Sequence, residues 1–550
     1  MAVQIMDSLR RRKPVVLMTS AVAGAAIAVA GCGGDADSSS GAAAGEIASY
    51  VPAGSPLYLE ATTDFDGPQW QQVDALAKLF PAYPELRAEL DEALMGGDVD
   101  FETEIKPVLG ERAAMAGLNV PTDEIVNSLS TTDPDAAPEI VQSAAEDQQF
   151  IAVVEIADGQ EEAVEKLLTD NGATPAGESN GASLFTDDDT AAAVADGVLV
   201  VSDTQAQVQQ ALDAHAAGGD QTLGGTDKFT DALAKLPADV FGQAYIDMGA
   251  FVQAAGSSSA QLQQLGLAEY QNGVVAASIA AEPEGVRVKG VVLGVPDVGQ
   301  VSFSPTLIDK APADSIAYLG FSDLASSVTT ILEQARASQS EDARAQIDAI
   351  GGQLPSLLGV SIDDLAALTG GEHAVVVTSG TPDPGVTLAL KVEDGARASQ
   401  TLDALRTGIP SLLSSFSPDT TLPDWQQVPL AAGVQGWQLP LSPEAGVVYG
   451  VDGDTALIGS SVASVTAVQR PTAPLSGSAE YQAAVSGMPD EVTSLAYVNV
   501  AQAVAAAEGL GAFDDAPAET LANLRPVKSL TAWSTGGDTP TFEVYLRITG

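Results

Sequence analysis

The sequence predicts an α+β protein with two similar domains in tandem, each a mostly antiparallel sheet with amphipathic helices packed on one face. Two observations lead to this prediction. Short segments alternate apolar and polar residues and are separated by Asp-Gly, Gly-Gly or Pro-containing turns, which is typical of antiparallel hairpins. Single amphipathic helical segments interrupt these strands, and the whole pattern occurs twice in 550 residues.

One strand signature recurs four times: a proline, a short polar stretch, and then a tyrosine between apolar residues. The tyrosines are Tyr58, Tyr245, Tyr318 and Tyr497. The proline precedes the tyrosine by six, eight, six and eight residues, so the first copy matches the third and the second matches the fourth. The separations are 260 residues (Pro52 to Pro312) and 252 residues (Pro237 to Pro489). We interpret the repeated tyrosines as core packing; the lining of a ligand cavity is the alternative.

The elements of the two halves follow in the same order. The first half predicts a helix with Trp70, Val73 and Leu76 on one face, strands at 113–116 and 150–156, a helix with Val164 and Leu168, two strands about the turn Asp196-Gly197, a capped helix over 203–214 and a hairpin over 274–293. The second half repeats this with strands at 374–377, 386–392 and 448–458, a capped helix over 461–469 and a hairpin over 530–548.

These patterns divide the chain into four parts. Residues 1–31 are predicted to be a signal peptide, and residues 32–45 a lipidated cysteine with a flexible tether. The first α+β domain is expected over residues 46–297 and its duplicate over residues 304–550. Residues 123–148, rich in Asp, Thr, Ser and Pro, have no counterpart in the second half and are interpreted as an insertion.

The leader has the features of a secretory signal. Residues 14–30 are uncharged and follow a basic cluster formed by Arg10, Arg11, Arg12 and Lys13. This run is short for a membrane span, which needs about 20 residues. It ends in Val29-Ala30-Gly31-Cys32, and Cys32 is the only cysteine in the chain.

The four residues Val29, Ala30, Gly31 and Cys32 resemble a bacterial lipobox. The resemblance implies that the Cys32 thiol receives a diacylglycerol with acyl chains such as palmitate. A dedicated peptidase would recognise the three preceding residues and cut before Cys32. The protein would then be exported and lipid-anchored to the outer face of the cytoplasmic membrane. An ordinary signal peptide and an uncleaved anchor are the alternatives, and the Sec and twin-arginine routes both remain open.

The charge excludes nucleic acid as a partner, and the cysteine content excludes an internal disulfide. With 74 acidic and 23 basic residues, the net charge is −51, which repels nucleic acid. A single cysteine cannot form an internal disulfide, so stability must come from the core, and 45% of the residues are apolar.

Few residues suggest chemistry. His215 and His373 stand apart from each other and from any cysteine pair, so we expect satisfied side chains rather than zinc ligands. Ser179 lies in a Gly-x-Ser-x-Gly motif, but its flanks predict a helix end and a loop rather than a nucleophile elbow. Asp187-Asp188-Asp189 is either a weak Ca²⁺ site or a solvated turn. We therefore expect no catalytic residue, no metal and no cofactor.

The leader, the small polar tether and the recurring Pro-Ala-x-x-x-x-Tyr strands together resemble an uncharacterised actinobacterial family of exported lipoproteins with a domain of unknown function. The resemblance implies no activity and no catalytic residues. We expect a non-catalytic envelope protein that meets the membrane through its lipid and binds a hydrophobic ligand or lipid. The alternatives are an assembly factor that contacts other envelope proteins, and a hydrolase that uses a pair of facing carboxylates.

Overall fold

A computed structural model describes residues 46–85, 87–88, 101–119, 149–187, 190–254, 270–295, 301–322, 324, 358–380, 384–416, 423–442, 446–514, 517–537 and 539–550. The predicted signal peptide, Cys32, the tether and the insertion at 123–148 lie outside these residues. The described residues fall into two compact units, one of 46–295 with 539–541 and one of 301–537 with 542–550.

The first unit contains ten strands. In chain order its elements are β1 (Leu57–Thr62), α1 (Pro68–Ala77), β2 (Leu109–Gly117), β3 (Phe150–Ile156), α2 (Glu161–Asp170), β4 (Thr174–Ser179), β5 (Ala182–Thr186), β6 (Ala191–Ala195), β7 (Val198–Ser202), α3 (Gln205–Ala217), α4 (Asp227–Leu233), β8 (Gly242–Asp247), α5 (Met248–Ala254), β9 (Val274–Glu282) and β10 (Gly285–Leu293). The strands pair antiparallel in the order β4-β5-β6-β7-β3-β2-β1-β8-β9-β10.

The second unit also contains ten strands. Its elements are β11 (Ala317–Ser322), α6 (Ile362–Thr369), β12 (Glu372–Thr378), β13 (Gly385–Lys391), α7 (Gly395–Phe416), β14 (Gln426–Pro429), β15 (Gln435–Pro440), β16 (Gly446–Asp452), β17 (Thr455–Gly459), α8 (Val462–Gln469), α9 (Ala479–Ala484), β18 (Ser494–Asn499), α10 (Val500–Gly509), α11 (Ala518–Leu524), β19 (Val527–Thr535) and β20 (Thr541–Ile548). Their order, β14-β15-β16-β17-β13-β12-β11-β18-β19-β20, is the order of the first unit. The mixed α+β class with antiparallel sheet is therefore confirmed.

The four repeated tyrosines form two cross-strand pairs. Tyr58 on β1 lies opposite Tyr245 on β8, and Tyr318 on β11 lies opposite Tyr497 on β18. All four side chains are at most 1% exposed. The Phe229 ring packs edge-on against both tyrosines of the first pair, at centroid distances of 5.1 Å. The interpretation of the repeated tyrosines as core packing is confirmed.

Helices cover both faces of the sheet near β7, so the prediction of helices on one face is wrong there. Val198 and Val200 belong to a core cluster that includes Val208 of α3. The alternate residues Leu199 and Val201 belong to a second cluster, which includes Val164 and Leu168 of α2. Side chains alternate between the faces of a strand, so these clusters lie on opposite faces. Such a strand must be apolar throughout, as Val198-Leu199-Val200-Val201 is.

Local signals place the hairpins and helix starts. Asp196 and Gly197 both have positive φ (44° and 77°), as the predicted two-residue turn between β6 and β7 requires. Helix α3 begins with a capping box between Thr204 and Gln207, one residue later than expected. Ser461 caps α8 as predicted.

Candidate functional site

The residues to which the sequence assigns a role lie beyond the described structure. Cys32, Val29, Ala30 and Gly31 precede Glu46, the first described residue. Their assignment as lipidation and peptidase-recognition positions stays a prediction. None of the helices in the described ranges is long and apolar enough to cross a membrane.

Both histidines have ordinary structural roles. His215 lies in the last turn of α3, where its Nδ1 is 2.9 Å from the Ser49 hydroxyl and its ring stacks on Tyr50 at 3.8 Å. His373 is fully buried on β12, and its Nε2 is 2.8 Å from the carbonyl oxygen of Thr369. The expectation of a satisfied side chain is confirmed for His215. Across the described ranges, no group of three or more His, Cys, Asp or Glu residues could hold a metal ion.

Ser179 ends a strand and begins a hairpin turn. Asn180 and Gly181 both have positive φ (50° and 86°) and connect β4 to β5, with Ser179 opposite Ala182. The segment before Ser179, predicted as a loop, is strand β4, so that part of the prediction is wrong. The serine hydroxyl accepts a hydrogen bond from the Gln209 side-chain amide. A strand–turn–strand geometry is not the strand–turn–helix of a nucleophile elbow.

The acidic run is described only at its first residue. Asp187 Oδ1 accepts hydrogen bonds from the Thr190 backbone amide (2.8 Å) and hydroxyl (3.2 Å). Asp187 therefore stabilises a turn. The other two aspartates of the predicted weak Ca²⁺ site lie outside the described residues.

The sequence did not reveal a charged cluster on β1, β2 and β3 of the first unit. The Arg112 guanidinium lies between two carboxylates, with Nη1 3.8 Å from Glu60 Oε1 and Nε 3.5 Å from Glu155 Oε1. The three side chains are 9% (Glu60), 18% (Glu155) and 20% (Arg112) exposed. Tyr58 donates its hydroxyl to Glu60 Oε2 at 2.6 Å. These residues are far apart in sequence, and strand register brings them together.

Burial controls the protonation of this cluster. Burial raises the pKa of Glu60, opposed by the Tyr58 hydrogen bond and by Arg112. The pKa of Tyr58 lies well above its usual value, mainly through burial and then through the adjacent Glu60 carboxylate. Because Arg112 contacts both carboxylates, Glu60 and Glu155 do not face each other across an open pocket. The cluster is therefore not the facing carboxylate pair that the hydrolase alternative requires.

The second unit reverses the charges at these positions. Arg112 lies opposite Thr62, which is four residues after Tyr58. Glu372 lies opposite Ser322, which is four residues after Tyr318. Glu155 on β3 and Lys391 on β13 also occupy equivalent positions in the two sheets. Gly320 replaces the first carboxylate.

The Thr306 hydroxyl forms hydrogen bonds with both Glu372 and Lys391. Glu372 is buried and accepts hydrogen bonds from the Leu307 backbone amide (2.7 Å) and from the Thr306 hydroxyl. Lys391 Nζ in turn donates to Thr306 Oγ1 at 2.8 Å. This cluster joins β12 and β13 to the short 3-10 helix Leu307–Lys310. In both units the cluster ties strands together.

A cavity of about 290 Å³ lies between α6, the end of β13 and the start of α7. Its charged lining consists of Asp364, Lys391, Glu393, Asp394 and Arg397. Arg397 pairs with Asp364 at 2.8 Å, and Asp394 accepts hydrogen bonds from the first backbone amides of α7. This polar lining does not suit the expected hydrophobic ligand.

One face of the second sheet, the one that carries Leu388, is apolar across five strands, and we call this part of it the open face. It has two rows of five residues on neighbouring strands, from β13 through β12, β11 and β18 to β19. One row is Val386, Val377, Ala317, Val498 and Leu530, and the other is Leu388, Val375, Leu319, Ala496 and Ala532. None of the ten is buried, and Leu319, Val386 and Leu530 are 44%, 44% and 39% exposed. An antiparallel sheet with one solvated face normally presents polar residues there.

The matching face of the first unit is apolar too, and it is less exposed. Its ten positions are Phe150, Gly117, Leu57, Ile246, Val275, Ala152, Met115, Leu59, Ala244 and Ala277. Four of them are buried, including Val275 at the place of Leu530, and none is exposed. In the sequence, this surface is indicated by strands that are apolar at both odd and even positions, because alternate residues point to opposite faces of the sheet.

Comparison with known proteins identifies a family but no activity. A family model described as a protein of unknown function, DUF3352, matches residues 15–547. The chain belongs to this family. The predicted domain of unknown function is therefore confirmed. No curated protein matches this DUF3352 chain.

Solved structures of TP0453 match only weakly. Its crystal form III has 10% sequence identity and a TM-score of 0.25, over 46% of this chain and 80% of that one. Its crystal form I has 9% identity and a TM-score of 0.19, over 78% of this chain and 98% of that one. Similarity at this level supports no argument about function.

Proposed function

We propose that the protein is an exported, non-catalytic lipoprotein, anchored through Cys32 to the outer face of the cytoplasmic membrane. The observation that carries this is the sequence Val29-Ala30-Gly31-Cys32 at the end of an uncharged run that follows four basic residues. A single cysteine at this position has an evident use as an acylation site, and no disulfide competes for it.

The position of the first described segment supports the anchor. Glu46 is followed by the short 3-10 helix Ile47–Tyr50, in which Ile47 and Ala48 are fully buried. The predicted tether of residues 33–45 would then separate the lipid from the folded body. As a coil it would reach roughly 20 Å, and fully extended about 45 Å. This reach keeps the body close to the membrane.

The proposed activity is binding of a hydrophobic ligand, because the open face presents ten apolar residues on one side of a sheet. Assembly of envelope proteins is the second candidate, favoured by the presence of an apolar face in both units. We also propose that the units arose by duplication, since their strand order and tyrosine registers match.

The anchor is tested by labelling cells with an alkyne analogue of palmitate. The wild-type protein is expected to take up the label, with the label on an N-terminal peptide that begins at Cys32. Cys32→Ala should abolish labelling, whereas the tether variant Ser38→Ala should label normally. Equal labelling of the Cys32→Ala variant, or a mature chain with an unmodified Cys32, would refute the anchor.

A further inference from the structure

We infer that the open face of the second unit holds one acyl chain of a free membrane lipid. This inference rests on the proposed binding of a hydrophobic ligand and assigns that ligand a place and a chemical class. The face is central in its sheet, since β11 pairs with β12 on one side and β18 on the other. None of its ten side chains carries a polar atom.

The dimensions of the face suit an acyl chain. Five neighbouring strands spaced about 4.8 Å apart span about 19 Å from β13 to β19. The acyl chains of one membrane leaflet span about 15 Å, half of the hydrocarbon core. One chain laid across the strands would therefore contact Val386 at one end and Leu530 at the other, with Leu319 at the centre.

The face is too small for a stable protein interface. Two rows of residues across five strands cover about 300 Å², given the rise and spacing of β-strands. A specific protein interface buries about 800 Å² on each partner. A second copy of this chain would also bring a second net charge of −51, and the repulsion would oppose association. A neutral hydrocarbon chain needs less contact area than a protein and is not repelled by the charge.

The second unit is the site because, among the described residues, its face is the more exposed one. Leu530 is 39% exposed, whereas Val275 at the same register in the first unit is 6% exposed. The lipid is a free one, since the acyl chains on Cys32 must stay in the bilayer to retain the protein there.

The test uses the full-length protein in cells that are fed a fatty acid with a photoactivatable group on its chain. After irradiation, mass spectrometry identifies the labelled peptides. An adduct with a free lipid carries that lipid's headgroup mass, whereas the protein's own anchor would join the peptide to the Cys32 peptide. The variants are Leu319→Asp and Leu530→Asp, with Leu441→Asp as the control, because Leu441 is 60% exposed and lies outside the face.

Free-lipid adducts are expected on the peptides of β11, β12, β13, β18 and β19. Leu319→Asp and Leu530→Asp should each lower them about ten-fold, and Leu441→Asp should not, with thermal unfolding unchanged in all three. Free-lipid adducts confined to other peptides would overturn this site but keep the proposed ligand class. No free-lipid adduct on any peptide would overturn both. Adducts at this face with peptides of another protein, or of a second copy, would replace the lipid with a protein partner.

Discussion

Removing one hydroxyl from equivalent tyrosines is expected to have opposite effects in the two units. Tyr58 donates its hydroxyl to Glu60 at 2.6 Å, inside a buried charged cluster. The hydroxyl of Tyr318, at the same register, is buried and has no hydrogen-bond partner among the described residues. The difference follows from the sequence, because Gly320 takes the place of Glu60.

The magnitudes follow from the state of each hydroxyl. Tyr58→Phe removes a hydrogen bond to a charged group and leaves a buried carboxylate with one donor fewer. We expect it to lower the free energy of unfolding by about 1.5–3 kcal/mol. Tyr318→Phe removes a buried polar atom without a partner, so we expect no loss and a gain of up to about 2 kcal/mol. The rings keep their volume in both variants, so neither change creates a cavity.

Urea denaturation, followed by hydrogen exchange of peptides from each unit, measures the two effects separately. A double-mutant cycle of Tyr58→Phe with Glu60→Gln gives the coupling between these side chains. A loss in Tyr318→Phe as large as in Tyr58→Phe would show that the Tyr318 hydroxyl has an acceptor. The account of the two tyrosine pairs would then be wrong.

Three further predictions test other parts of the structure. Burial raises the pKa of Glu60 above its usual 4.5, so the protonated carboxyl group stabilises the folded protein fully below pH 4.5, and this stabilisation is lost as the pH rises through the raised value. Glu60→Gln should remove this pH dependence from urea titrations of the first unit. Thr204→Ala deletes the cap of α3 and should cost about 1 kcal/mol in the first unit, whereas Ser461→Ala should act on the second; an equal loss in both units from either variant would contradict this prediction. A fluorophosphonate probe should not label Ser179, and labelling that Ser179→Ala abolishes would show a nucleophile where the structure has a hairpin turn.

The sequence predicts what local chemistry determines. Asp196-Gly197 specifies a hairpin because few other residue pairs accept positive φ at both positions. The sequence does not predict strand β4, because Pro175 and Gly177 are typical of a loop. The structure accommodates both, since β4 is the edge strand of its sheet and its register shifts between these two residues.

The charged cluster and the open face depend on register, which local patterns do not contain. Glu60, Arg112 and Glu155 meet only because β1, β2 and β3 pair as they do. Alternation also does not distinguish a face covered by helices from an open one, since both carry apolar residues here. For that reason, helices on both faces of β7 and an open apolar face in the second unit emerge only from the structure.

The most direct test of a lipid-anchored carrier is the lipid content of the Cys32→Ala protein, which lacks an acyl chain of its own. Protein purified without detergent would be extracted with organic solvent, and the extract analysed by mass spectrometry. The account predicts about one lipid molecule per chain, which Leu319→Asp removes. A Cys32→Ala protein that is folded, as judged by hydrogen exchange, and yields no lipid would contradict it.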